Sequence, residues 1–186
     1  MVNRSSENEK ELHVKLEWVP VQGPDGKPYF YRADHKRLRK AWSKPAVYRW
    51  VLSGKKRTLV GESDDLHQRL QAYVGSGLGR HVEIRRVFDE ELKSEGSVQL
   101  EVLKFEGFTI NGIVFDETSL HSFFVRRVLE NICSELLQRD GHELLNATPQ
   151  KRLIGKAARE FGVTPEVLVE ALRLVISRKA AGAPSH

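Results

Sequence analysis

The chain reads as an α+β protein on three observations. Val47 to Leu52 is a short apolar run broken only by Arg49, and Ser53-Gly54-Lys55-Lys56 turns it back into Arg57 to Gly61, as expected of two core strands in a hairpin. Val98 to Phe105 alternates apolar and polar residues, the pattern of a third strand. Thr118 to Gln138 carries Leu120, Phe124, Val125, Val128, Leu129, Ile132, Leu136 and Leu137, which makes it a long, largely buried helix.

With 186 residues, 40% hydrophobic and 30% charged, the chain can bury one sizeable core and carry a small appendage. The polar residues 1–10 and Ala180 to His186 are expected to fray. No apolar run approaches the roughly 18 residues of a membrane helix, and the N-terminus lacks a secretory apolar stretch. The expectation is a cytoplasmic protein with no membrane partner. Cys133, the single cysteine, excludes an internal disulfide and any multi-cysteine zinc site. It lies four residues after Leu129 and three before Leu136, so it reads as a packed core thiol.

Taken in order, His13 to Val19 alternates like a strand, and Gly23-Pro24-Asp25-Gly26 turns it toward Tyr29 to Arg32, predicting an N-terminal hairpin. Asp34 to Trp42 is a basic helix or loop, and Pro45 marks the boundary before the first core strand. A two-residue turn at Gly54-Lys55 sets Trp50 opposite Leu59 and Tyr48 opposite Gly61. There the missing side chain at Gly61 leaves room for a phosphate beside the phenol. Ser63 is read as the N-cap of the next helix, whose inward stripe is Leu66, Leu70, Tyr73 and Val74 and whose edge carries Arg69. The glycines from Gly75 to Gly79 follow a helix and sit in no βαβ unit, so they read as a loop and not as a dinucleotide fingerprint. Phe108 to Phe115 predicts a short hairpin.

On the long helix, Glu130 lies two turns from Phe123 and from Leu137, so its carboxylate is expected to be partly desolvated and to need a cation. Either Arg126 or Arg127, one turn earlier, or a metal ion can supply that charge, and Glu135 is a rival acid. Arg152 to Phe161 and Glu166 to Arg178 predict a C-terminal helical pair whose offsets resemble a helix-turn-helix unit. The second helix is too apolar to read a groove, which favours packing or a homodimer contact. The domain reading is residues 1–43 as an N-terminal extension, 44–148 as the principal domain and 149–186 as a helical appendage with a tail.

The net charge is only +5, but from His35 to Arg57 the chain holds Lys36, Arg37, Arg39, Lys40, Lys44, Arg49, Lys55, Lys56 and Arg57 and no acid. A one-sign block of this length suits a polyphosphate partner, because each phosphate contact releases condensed counterions. The seven histidines show no paired metal-ligand spacing, and neither a nucleophile elbow nor a P-loop is present.

Ala46-Val47-Tyr48, Leu59-Val60-Gly61-Glu62-Ser63, Arg69 eight residues past that glycine, and the distant Leu129-Glu130 together resemble the signature of the GIY-YIG nucleases. The resemblance spans about Lys44 to Ala147, and is similar in layout to the incision domain of bacterial excision repair and to several restriction enzymes. It implies a three-stranded antiparallel sheet flanked by helices, and DNA phosphodiester cleavage with one divalent ion, Mg²⁺ or Mn²⁺. Carried onto this chain, Tyr48 matches the first motif tyrosine, Arg69 the arginine, Tyr73 a frequent His or Tyr one turn later, and Glu130 the metal-binding glutamate. Gly61, Ser63 and Asn146 match supporting positions. In that scheme Arg69 forks onto the phosphoryl oxygens, Glu130 holds the ion, and Tyr48 positions or deprotonates the water, with Lys44, Lys55 or Lys56 lowering its pKa. Leu59 stands where the family has its second tyrosine, so the alternative is a GIY-YIG-like module that binds nucleic acid without cutting it.

Overall fold

The computed structural model describes residues 16–23, 25–32, 39–54, 56–74, 80–105, 108–110, 113–146, 151–160, 162, 164–167 and 169. The class is α+β, but the sheet has five strands and not three. Strands β1 (Leu16–Pro20), β2 (Ala46–Leu52), β3 (Arg57–Ser63), β4 (Val98–Phe105) and a later two-residue strand at Glu143–Leu144 lie in the order β1, β4, β2, β3, then the late strand. The three expected core strands are the contiguous antiparallel centre, with β2 in the middle, and each edge gains a strand. Trp50 pairs with Leu59 and Tyr48 with Gly61, the register that the turn dictates.

The N-terminal hairpin takes a different form from the one expected. β1 runs antiparallel along β4 to the Pro20–Glu101 pair, the chain loops out through a turn closed by Gly23 N–H to Lys27 O, and Tyr29 to Tyr31 resume beside the start of β4. The arms pair with each other only at the turn, through the antiparallel Gln22–Pro28 bridge and Tyr29 N to Val21 O at 2.6 Å, and beyond it both lie along β4, because Val98 and Leu100 still offer backbone groups there.

Helix α1 is Arg39–Trp42, residues 33–38 lying outside the described residues, and α2 runs Leu66–Val74. Its cap is Asp65, whose carboxylate accepts from Gln68 N at 2.9 Å, while Ser63 forms the preceding turn by accepting from Asp65 N. The cap thus falls two residues later than expected, because an aspartate placed next to the first helical residue reaches the orphan N–H better. Leu66, Leu70 and Tyr73 are buried as expected, but Val74 is exposed and His67 is buried in its place. Helix α3, Arg80–Lys93, was not anticipated from the sequence; it buries Ile84, Phe88 and Glu91, and the Glu91 carboxylate accepts from Gly54 N at the hairpin turn.

The hairpin β5 (Phe108–Ile110) and β6 (Ile113–Phe115) is present. The long helix is broken: Glu117–His121 is a 3-10 turn capped by Asp116, and α4 begins at Phe123, capped by Ser122, and ends at Arg139. Polar residues that accept from their own backbone compete with continuous helix, which is why Ser122 starts a new segment. β7 is Glu143–Leu144, parallel to β3. Helix α5, Lys151–Glu160, buries Ile154, Ala157 and Ala158 in the same apolar cluster as Leu129, Ile132 and Cys133 of α4. The second C-terminal helix lies largely outside the described residues, as do Gly75 to Gly79.

The sheet carries two cores. One face packs Val47 and Val60 under α4 and α5. The other packs Tyr48, Trp50 and Leu59 with Tyr29, Tyr31, α2 and α3. Among the described residues no helix is long and apolar enough to cross a membrane.

Candidate active site

Tyr48 sits at the second-core face of β2 with 2% of its surface exposed, and its hydroxyl is 2.8 Å from the hydroxyl of Tyr73 on α2. The Tyr73 ring meets Tyr48 and Trp50 edge-on, at centroid separations of 6.4 and 5.9 Å. Gly61 does not leave a vacant place for a phosphate: a Cβ there would lie 2.6 Å from the Tyr48 hydroxyl and ring tip. The space that the glycine vacates is taken by the phenol itself. Leu59 is buried on the same aromatic face, where it supplies packing.

Arg69, on α2, is half-buried, and among the described residues it makes no ion pair, with Asp65 or with any other acid. Its charge reaches both other members of the expected triad. It acts to lower the pKa of Tyr48 and that of Glu130, while Glu130 acts to raise that of Tyr48. The three groups drawn from β2, α2 and α4 are therefore within electrostatic reach of one another. Burial is the largest influence on Tyr48, and it holds the phenol well above its ordinary value of 10.0. In this arrangement the phenol is neutral at neutral pH, and the expected lysines do not change that. Lys56 lies beyond the far end of the hairpin from the Tyr48–Gly61 pair, Lys44 is occupied with Glu117 at 3.5 Å, and Lys55 is outside the described residues.

Glu130 is 13% exposed at its side chain, and burial raises its pKa against the pull of Arg127. One carboxylate oxygen accepts from the Arg127 guanidinium at 2.9 Å. Arg127 also approaches Glu62 of β3 at 3.5 Å, and the other oxygen of Glu62 takes a 2.9 Å hydrogen bond from the buried Arg126. Arg126 donates as well to the carbonyls of Leu120 and His121 at 2.7 and 3.1 Å, tying the 3-10 turn to the network. From sequence alone Glu62 carried no assigned role; its signal is the alternation of β3, which turns Val60 and Glu62 toward α4. Glu135, the rival acid, pairs with Arg139 at 3.1 Å.

Among the described residues no three His, Cys, Asp or Glu side chains converge to hold a metal, so a zinc or calcium cage is absent there. The second Glu130 oxygen makes no hydrogen bond among the described residues. One such carboxylate oxygen suits Mg²⁺, which keeps several waters and takes further ligands from a phosphate. Glu130 alone would hold the ion.

The basic block is divided. Lys44, with its ammonium 5.3 Å from the Trp42 ring centroid, lies at the Tyr48 end of β2. Lys56 and Arg57 lie at the opposite end, a strand length of roughly 20 Å away, with Arg57 paired to Glu143 at 2.9 Å. Arg49 leaves the surface set, since it pairs with Glu101 at 2.6 Å and stacks on Trp18. Arg39 and Lys40 belong to α1, and Lys36 and Arg37 lie outside the described residues. Asn146 supports β3 by accepting from Val60 N at 3.3 Å.

No protein-family model matches the chain, and no curated protein or solved structure matches it either.

Proposed function

We propose that this protein is a metal-dependent endonuclease that hydrolyses DNA phosphodiesters, of the GIY-YIG type and of the restriction or defence kind. The observation that carries the reading is the mutual electrostatic reach of Tyr48, Arg69 and Glu130, which come from three separate elements. Bound at Glu130, Mg²⁺ would supply positive charge for the scissile phosphate and the departing 3′-oxygen. Arg69, without an acid partner among the described residues, has its guanidinium available to fork onto two phosphoryl oxygens, a bidentate task that lysine performs less well. Tyr48, neutral through burial, shares a hydrogen bond with the Tyr73 hydroxyl and so holds that hydroxyl in place to orient the attacking water, and does not act as the base. Arg127 holds the Glu130 carboxylate in place, and Arg126 with Glu62 fixes α4 against β3.

A second reading is favoured by one observation. The Tyr48 hydroxyl is enclosed and Leu59 offers no replacement, the combination expected of a relative that binds nucleic acid without cutting it. Plasmid nicking in Mg²⁺ or Mn²⁺ separates the two. The nuclease reading expects wild type to nick and Glu130→Ala and Arg69→Ala each to lose on the order of 100-fold in rate. Nicking undiminished in both variants removes this site assignment, and plasmid retention without nicking leaves the binding module.

A further inference from the structure

We propose that Phe123 is a stacking platform for an unpaired nucleobase beside the candidate phosphate site, so that the preferred substrate is single-stranded or locally opened nucleic acid. The inference rests on the reading of the preceding subsection and names its substrate class. Phe123, the first residue of α4, is 59% exposed, more than the other large apolar side chains found exposed among the described residues. Its neighbours His121 and Ser122 are exposed and polar, whereas the centre of a protein interface gathers apolar side chains around its aromatic anchors.

What the ring does have is cations. The guanidinium carbons of Arg127 and Arg126 lie 5.4 and 6.0 Å from its centroid. Arg127 is 41% exposed at its side chain and binds Glu130 through the same guanidinium, so ring, cation and carboxylate form one continuous chain along a face of α4. Phe123 and Glu130 are two turns apart, about 10 Å along the axis, or roughly three base steps of duplex rise. A base one to three nucleotides from the scissile phosphate is therefore within reach of the ring.

Stacking needs an exposed base face. Paired bases hide theirs in the duplex, while every unstacked base presents one, and the resulting affinity is tolerant of sequence. Arg127, 41% exposed beside the ring, favours the accompanying phosphates.

The test uses the full chain without metal, so that binding is read apart from cleavage. Fluorescence anisotropy with a single-stranded oligonucleotide and with its duplex is measured for wild type, Phe123→Ala and Phe123→Trp. Phe123 is exposed, so Phe123→Ala is expected to keep the wild-type fold by circular dichroism. Phe123→Ala should weaken single-strand binding on the order of tenfold while duplex binding stays unchanged, and Phe123→Trp should retain both. A 2-aminopurine placed in the single strand should lose fluorescence on binding wild type and keep it with Phe123→Ala. Equal loss on both substrates, or no loss on either, overturns the platform and leaves the nuclease reading standing. If sedimentation shows self-association that Phe123→Ala abolishes, with oligonucleotide binding untouched, the ring is a protein contact and the proposal fails. Wild type that binds neither oligonucleotide overturns both this inference and the reading beneath it.

Discussion

The two faces of the sheet stabilise the protein by different means. Against α2 and α3 the core is aromatic: Trp50 lies within 6.3 Å, centroid to centroid, of Tyr29, Tyr31, Tyr73 and Phe88, and the Tyr48 and Tyr73 hydroxyls meet at 2.8 Å. Against α4 and α5 the core is aliphatic, and its rim is an ionic lattice of Glu62, Arg126, Arg127 and Glu130. The aromatic face positions neutral hydroxyls by shape, and the aliphatic face positions charges by pairing. The expected triad draws on both faces, so each can be disabled separately.

The largest effect is expected on the ionic side. Arg126→Ala removes the buried 2.9 Å partner of Glu62, leaving it only the 3.5 Å approach of Arg127, and frees the 3-10 turn, at a cost of roughly 3–5 kcal/mol. Urea unfolding should also show that Arg126→Met paired with Glu62→Gln recovers most of that loss; a double variant no better than the single would refute the pairing account. On the aromatic side, Gly61→Ala drives a methyl into the Tyr48 ring and should cost about 1–3 kcal/mol by overpacking. The smaller Tyr48→Phe background should relieve part of it, and a Gly61→Ala protein as stable as wild type contradicts the close approach. Tyr73→Phe removes one partner of an enclosed hydroxyl pair and should cost roughly 1 kcal/mol, measured as a shift in denaturation midpoint.

The smallest effect sharpens the contrast through pH. Burial raises the Glu130 pKa above its ordinary 4.5 in the folded chain, so the charged form is disfavoured by folding. Its contribution to stability is full below the unfolded value and is lost as pH rises through the folded one. Glu130→Gln should therefore melt higher than wild type near neutral pH, with an advantage that shrinks toward about pH 4. An advantage that grows on acidification would reverse the assigned sign.

Much of the central sheet was legible in the sequence because the β2–β3 turn leaves few registers, and Tyr48 opposite Gly61 follows directly from it. α3 was missed because it is strongly charged, with only Ile84 and Phe88 fully buried among its apolar residues. β7 was missed because two residues carry no periodicity, and its parallel pairing depends on where α4 ends. Burial of Glu130 could be read from its neighbours on α4, but its link to Glu62 through Arg127 could not, since that bridge joins α4 to a strand far away in the chain. The role expected of Gly61 failed for a related reason: an absent side chain marks a close approach without saying what approaches.

The short parallel strand shields one edge of the sheet. Glu143 N and Leu145 N donate to Lys56 O and Thr58 O, and the Asn146 amide oxygen occupies Val60 N. Those few groups cover the otherwise bare backbone rim of β3. A chain cut after Arg139 would expose that rim along an apolar strand, ready to recruit another polypeptide edge to edge and aggregate.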